Sequence, residues 1–192
     1  DRVTNITMQA NFFGLKEDGI TIQSYGWGFI IRSFTNITVG GPNPEDGNYF
    51  VSNSFGSCAV IQSDSNNNNG TINVTNNTFG ADHTKTIPIK CGVFEIAGIT
   101  NGFTPTISDA VITVSKNTFN NPLYVGSNSC NGMLSISNVS GFIKIIGNTI
   151  GNLSTWQSCQ SYGIAVANCE NGIIGGQTTE EKNIISLNGT GI

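Results

Sequence analysis

Charge is what this sequence has least of. Only 10% of its 192 residues are Asp, Glu, Lys or Arg, against roughly a quarter in an ordinary soluble domain. Eight Lys and Arg against twelve Asp and Glu leave a net charge of −4, and the basic residues are scattered singly. No basic stripe is available to neutralise phosphates, which argues against a nucleic-acid partner. Long apolar runs are missing too. A stretch such as Phe142-Ile143-Lys144-Ile145-Ile146 falls far short of the roughly 20 residues that span a bilayer. No basic segment followed by an apolar one opens the chain, so any export signal is expected to be removed or to lie outside these residues. With one His and no C-x-x-C pair among the five Cys, neither a zinc motif nor another metal site is expected. Nothing points to a cofactor.

Asn, Ser, Thr and Gly take the place of charge, with 24 Gly alone. All four rank low as helix formers, whereas Thr, Val, Ile and Phe favour strands and Asn and Gly favour turns. The composition therefore predicts an all-β chain.

A short phrase recurs: a β-run, then Asn, any residue and a large apolar residue, often followed by Gly. It reads Ile6-Thr7-Met8-Gln9-Ala10-Asn11-Phe12-Phe13-Gly14, then Ile72-Asn73-Val74-Thr75-Asn76-Asn77-Thr78-Phe79-Gly80. It returns as Ile112-Thr113-Val114-Ser115-Lys116-Asn117-Thr118-Phe119 and as Ile143-Lys144-Ile145-Ile146-Gly147-Asn148-Thr149-Ile150-Gly151. Weaker echoes, Asn48-Tyr49-Phe50 and Asn183-Ile184-Ile185, fill the intervals. Copies about 30 to 40 residues apart have the period of a solenoid. Alternations such as Ile72/Val74 put apolar side chains on one face of a strand. The Asn ends the strand, and its amide suits both its own turn and the equivalent amide one coil away. The pattern thus predicts an Asn ladder of Asn11, Asn48, Asn77, Asn117, Asn148 and Asn183. Beside it would run an apolar column of Phe13, Phe50, Phe79, Phe119, Ile150 and Ile185.

A second strand lies between copies, as in Ala59-Val60-Ile61, Gly92-Val93-Phe94-Glu95-Ile96, Met133-Leu134-Ser135-Ile136 and Gly163-Ile164-Ala165-Val166. Cys58, Cys91, Cys130 and Cys159 precede it at a similar offset. Neighbouring strands stand about 4.8 Å apart, a separation that disulfides accept. The expectation is Cys58–Cys91 and Cys130–Cys159 bridges with Cys169 left over. A column of buried free thiols is the alternative.

The phrases Ile37-Thr38-Val39-Gly40-Gly41 with Gly47-Asn48-Tyr49-Phe50-Val51-Ser52-Asn53, and Ile173-Ile174-Gly175-Gly176 with Asn183-Ile184-Ile185-Ser186-Leu187-Asn188, carry a resemblance. They are similar to the repeat signature of right-handed parallel β-helix proteins, the pectate-lyase-like solenoids of large bacterial surface proteins. The resemblance implies a single right-handed parallel β-helix of about six coils over residues 1–192. It is clearest over 11–80 and 148–192, and residues 81–147 depart from it in longer loops. Because the matching residues are turn and core positions, it speaks for fold rather than activity.

Chemistry is sparse. The acids Asp1, Glu17, Asp18, Glu45, Asp46, Asp64, Asp82, Glu95, Asp109, Glu170, Glu180 and Glu181 fall mostly in turns, where solvation is expected. Only Glu95 lies in a strand, with no acid opposite it as a glycosidase pair would require. His83 sits in a polar loop beside Asp82, and Arg2 and Arg32 are isolated. The Asn66-Asn67-Asn68-Asn69-Gly70 run reads as an edge turn, and Tyr25, Trp27 and Trp156 as covers over loops rather than a sugar platform. No catalytic residue is expected. Sequons occur at Asn5, Asn36, Asn69, Asn73, Asn76, Asn138, Asn152 and Asn188, none of them a ladder position, which suits exposed glycan carriers.

Neither end reads as a polar cap. The last residues, Gly191-Ile192, followed by Ile6 to Asn11, mimic Ala59-Val60-Ile61 leading into Ile72 to Asn77. Either the sequence is a slice of a longer repetitive chain, or copies stack head to tail into filaments. The expected role is a structural module of an extracellular fibre or cell-surface adhesin, with glycans as possible further partners. The scaffold of a polysaccharide-degrading or carbohydrate-binding protein is the alternative.

Overall fold

Alternation of apolar and polar residues builds the strands. In β7 (Thr71–Thr75) Ile72 and Val74 are fully buried while Thr71, Asn73 and Thr75 point outward. The same pattern holds in β4 (Ile37–Gly40) and β10 (Val111–Ser115). The computed structural model describes residues 4–23, 28–32, 34–51, 57–63, 70–85, 91–98, 107, 109–120, 133–151 and 162–186. Its other strands are β1 (Ile6–Met8), β2 (Phe12–Phe13), β3 (Phe29–Arg32), β5 (Tyr49–Phe50), β6 (Ser57–Ser63), β8 (Thr78–Phe79) and β9 (Val93–Gly98). They continue with β11 (Thr118–Phe119), β12 (Leu134–Ile146), β13 (Thr149–Ile150), β14 (Ile164–Ile174) and β15 (Ile184–Ile185).

Every pairing between these strands is parallel, and each strand lies on the equivalent strand of the next coil. The chain is a parallel β-solenoid. One face stacks β1, β4, β7, β10, the C-terminal half of β12, and β14. A second stacks β3, β6, β9, the N-terminal half of β12, and β14. The third is a ribbon of two-residue strands in the order β15-β13-β11-β8-β5-β2. The long strands β12 and β14 run through the bend between the first two faces, with a register irregularity between Val139 and Phe142.

The coil count differs from the expected six. About four turns are present, because six ladder asparagines count one corner and so include the end layers. Among the described residues, the layer of β1 and β2, and that of β14 and β15, are each packed on one side only.

Inward side chains form columns along the axis. Ile6, Ile37, Ile72, Ile112 and Ile143 share one register, and Met8, Val39, Val74, Val114, Ile145 and Ile174 another. On the ribbon, Phe13, Phe50, Phe79 and Phe119 stack with centroids 4.6, 4.8 and 4.6 Å apart and planes within 8° of parallel. Each such pair adds about 0.5–1.5 kcal/mol beyond its buried area. The strand spacing dictates the ring spacing, so identical residues in one register pack as a continuous stack.

The corner before the ribbon is turned by one left-handed residue: Ala10 (φ 54), Asn76 (φ 60), Lys116 (φ 55) or Gly147 (φ 65). In two coils that residue is replaced by a longer loop opened by Gly40 (φ 81) or Gly175 (φ 83). Each contains a 3-10 turn, Pro44–Asp46 or Thr179–Glu181. The turn is held by a carboxylate: Asn43 N donates to Asp46 Oδ2 at 3.1 Å, and Thr178 N to Glu181 Oε2 at 3.4 Å. This carboxylate three residues on is the capping-box arrangement.

Candidate functional site

The most organised polar feature is the asparagine corner. Asn11, Asn48, Asn77, Asn117, Asn148 and Asn183 stack one per coil immediately before the ribbon strands. From Asn48 onward each Oδ1 accepts two bonds from the preceding rung: Asn77 Oδ1 takes Asn48 N at 3.0 Å and Asn48 Nδ2 at 2.9 Å. The second Nδ2 hydrogen reaches back to a main-chain carbonyl of the preceding coil, as in Asn77 to Val39 O at 2.8 Å. Asn48, Asn77, Asn117 and Asn148 are buried, and this pattern satisfies amides whose burial alone would cost several kcal/mol.

The ladder has a direction, and both ends are unfilled among the described residues. At the last rung, Asn183 Nδ2 donates back to Ile145 O at 2.8 Å, but its second hydrogen and the Asn183 N–H have no following Oδ1. At the first rung, Asn11 Oδ1 has no preceding donors, and Asn11 Nδ2 falls back on its own Gln9 O at 2.8 Å. Around these groups lie exposed apolar side chains. Ile173, Ile174 and Ile184 are 48%, 41% and 59% exposed at one end, and Phe12 is 40% exposed at the other.

A second set of inter-coil amide contacts involves the sequons. Asn36 Nδ2 donates to Asn5 Oδ1 at 2.8 Å, and Asn168 Nδ2 to Asn138 Oδ1 at 3.0 Å. Asn138 Nδ2 is held by Gly98 O, and Asn76 Nδ2 by Gly41 O and Pro42 O. Three sequon amides, those of Asn36, Asn76 and Asn138, are therefore half-buried structural donors, which sequence alone did not reveal. Asn73 projects from the outer face between Thr38 and Thr113. Neither its amide nor the Asn5 Nδ2 makes a hydrogen bond among the described residues. Asn69, Asn152 and Asn188 lie outside them.

Cys58 and Cys91 stand together, but as free buried thiols, so the expected disulfide between them is not formed. Cys58 is the bulged residue between the pairs Ser57/Val93 and Ala59/Phe94, which points its thiol into the core. Burial, then the hydrogen bond with the Cys58 thiol, pushes the Cys91 thiol well above its ordinary value and keeps it neutral. Cys169 is a half-buried thiol near Ala167 O and Ile136 O. The expected Cys130–Cys159 pair lies outside the described residues, as do Tyr25, Trp27, Trp156, Arg2, Asp64 and residues 66–69.

The acids do not converge. Glu95 faces outward and accepts from Ser57 Oγ at 2.9 Å. Asp82, expected in a solvated turn, is instead fully buried, with the Thr84 hydroxyl and N–H bound to its Oδ2. Its charge joins burial in raising the Tyr49 phenol. His83 is exposed, with Nδ1 3.2 Å from Gly19 O and its ring against Phe12. Asp18 turns the 14–23 loop, and its hydrogen bond from the Thr21 hydroxyl, followed by those from the Thr21 and Ile20 N–H groups, holds its carboxyl down at about 2. Glu181 is also lowered, first by the Thr178 N–H, then by Lys144, whose Nζ lies 3.5 Å away. Among the described residues no three His, Cys, Asp or Glu gather as a metal site, and no helix is long and apolar enough to cross a membrane.

No family model, no curated protein and no solved structure matches this chain.

Proposed function

We propose that this chain is a structural module of an extracellular fibre or cell-surface adhesin, a pectate-lyase-like solenoid segment lengthened by further coils on its end layers. The observation that carries this reading is the directional ladder, left with donors at Asn183 and an acceptor at Asn11. A further coil of the same kind would satisfy both and cover Ile173, Ile174 and Ile184. The scattered acids support a structural rather than a catalytic role, since a hydrolytic site needs convergent groups. N-linked glycans would sit at Asn73, whose amide makes no hydrogen bond among the described residues, and at Asn5, whose Nδ2 makes none there while its Oδ1 accepts from Asn36. The reading places the module outside the cell.

Electron microscopy of the native material tests this. Unbranched rods or filaments with axial order near 4.8 Å are expected. Compact particles that degrade a polysaccharide, with activity lost on Glu95→Gln, would overturn the structural reading in favour of a carbohydrate-active scaffold.

A further inference from the structure

Resting on the extracellular reading and its glycan at Asn73, we propose that this glycan folds back along the solenoid. Its first two N-acetylglucosamine units cover an exposed apolar pair, Val111 and Phe142. Both side chains belong to inner coils. Val111 opens β10, and Phe142 lies on it in register in β12. They are 47% and 41% exposed. The outer face around them is otherwise polar, with Thr71, Asn73 and Thr75 on β7 and Thr113 on β10. Exposed apolar residues scattered singly need no explanation. A Val and a Phe side by side on two coils are different: they make a patch in a face of hydroxyls and amides. β10 is paired on both sides, by β7 and β12, so further coils at either end would leave the pair uncovered.

Asn73 is placed to supply the cover. It opens the sequon Asn73-Val74-Thr75 and faces outward in register with Thr113. Its amide makes no hydrogen bond among the described residues, whereas the sequon amides of Asn36, Asn76 and Asn138 are tied to neighbouring coils. Val111 stands one strand over and two residues back from Asn73, about 8 Å away between Cα atoms, and Phe142 one strand further, at about 12 Å. The Asn side chain and one pyranose ring span the first distance, and a second ring spans the next. The apolar C–H face of that second ring packs on the Phe142 ring, whose π face is weakly negative. The first sugar lies over Val111, within reach of the Thr113 hydroxyl, which has no other partner among the described residues. Attachment precedes folding and needs a polyprenyl-diphosphate-linked oligosaccharide as donor. Asn73 Nδ2 attacks its anomeric carbon: the C1–N bond forms, the C1–O bond to the diphosphate breaks, and Nδ2 gives up one proton. Polyprenyl diphosphate leaves, and nothing is oxidised or reduced.

The full chain, secreted from a eukaryotic host that builds N-glycans, provides the test. Glycopeptide mass spectrometry is expected to find Asn73 occupied. Asn73→Gln should then lower Tm by about 2–4 °C, the shift that one stacking contact gives a chain of this size. In a Phe142→Ser background the same substitution should change Tm by much less. In chains made by a bacterial host without the glycan, Asn73→Gln should be neutral in both backgrounds. If Phe142→Ser does not fold, proton NMR of the secreted wild type replaces it, with a nuclear Overhauser contact expected between the sugar protons and the Phe142 ring. An occupied Asn73 with equal losses in the two backgrounds, or without that contact, would overturn the docking while leaving the glycan in place. Asn73 bare beside other occupied sequons would also overturn it. A secreted chain bare at every sequon would remove the glycans from the reading above as well; the fibre or adhesin role, which rests on the ladder, is read separately by microscopy.

Discussion

The coil of β4 and β5 and the coil of β14 and β15 share one phrase yet live in different surroundings. Both carry two glycines, a carboxylate-held 3-10 turn and a ladder asparagine. In the inner coil Val39 is completely buried; its equivalent Ile174 is 41% exposed. A Cβ added at Gly40 would lie 1.9 Å from Thr75 O of the next coil, whereas one at Gly175 would meet nothing within 4 Å. The backbone is alike, with φ of 81° and 83°. Local sequence therefore makes the turn, while neighbouring coils decide how much each residue contributes.

Substitutions at equivalent positions sharpen this contrast. The largest effect is expected for Phe79→Ala, which removes the middle of the ring stack and leaves a cavity between Phe50 and Phe119. A loss of about 3–5 kcal/mol follows, against well under half of that for Ile185→Ala in the end layer, both read by urea unfolding. Asn77→Ala comes next. It strands the N–H and Nδ2 of Asn48 and removes the bond to Val39 O, at about 2–4 kcal/mol. Asn11→Ala leaves no preceding rung unpaired and should cost about 1 kcal/mol or less. Equal losses for the two would show that the ladder does not act coil on coil.

Gly40→Ala combines left-handed strain with a main-chain clash, so it should exceed Gly175→Ala, which carries only the strain of about 1–2 kcal/mol. Gly175→Ala equalling Gly40→Ala would mean the end layer is already covered in solution. The smallest effect concerns the 14–23 loop. The Asp18 carboxyl is lowered by its hydrogen bonds from Thr21 and Ile20. Their stabilisation of the turn is therefore present above the unfolded carboxyl value of about 3.9 and is lost as the pH falls toward about 2. Amide exchange at Ile20 and Thr21 should accelerate over that window, and Asp18→Asn should abolish the pH dependence while the core amides are unchanged.

Much of the fold was legible in the residues. Alternating Ile and Val marked β4, β7 and β10, and Asn-x-Phe marked the corner and ribbon of most coils, because a stack of identical layers repeats its chemistry at a fixed interval. Even the weak echoes at Asn48 and Asn183 accept from the preceding rung as the strong copies do. The departures noted over 81–147 do not interrupt the stacking of β9, β10 and β12. What escaped sequence was anything that depends on the layer above or below. Phe29–Arg32 carries no Asn signal of its own, yet it forms β3 by pairing with β6. Asp82 looked like a solvated turn acid. Counting rungs overstated the turns, since it included layers packed on one side.

By itself, then, the sequence determined the all-β character, the period, and which side chains face inward, because these follow from local propensity and a two-residue alternation. Tertiary structure alone decided the bulge that turns Cys58 into the core beside Cys91, where both are free thiols. It also decided which sequon amides are bound and the one-way run of the ladder from Asn11 to Asn183. Those depend on distances between residues some 30 to 40 positions apart, which exist only once one coil has settled on another.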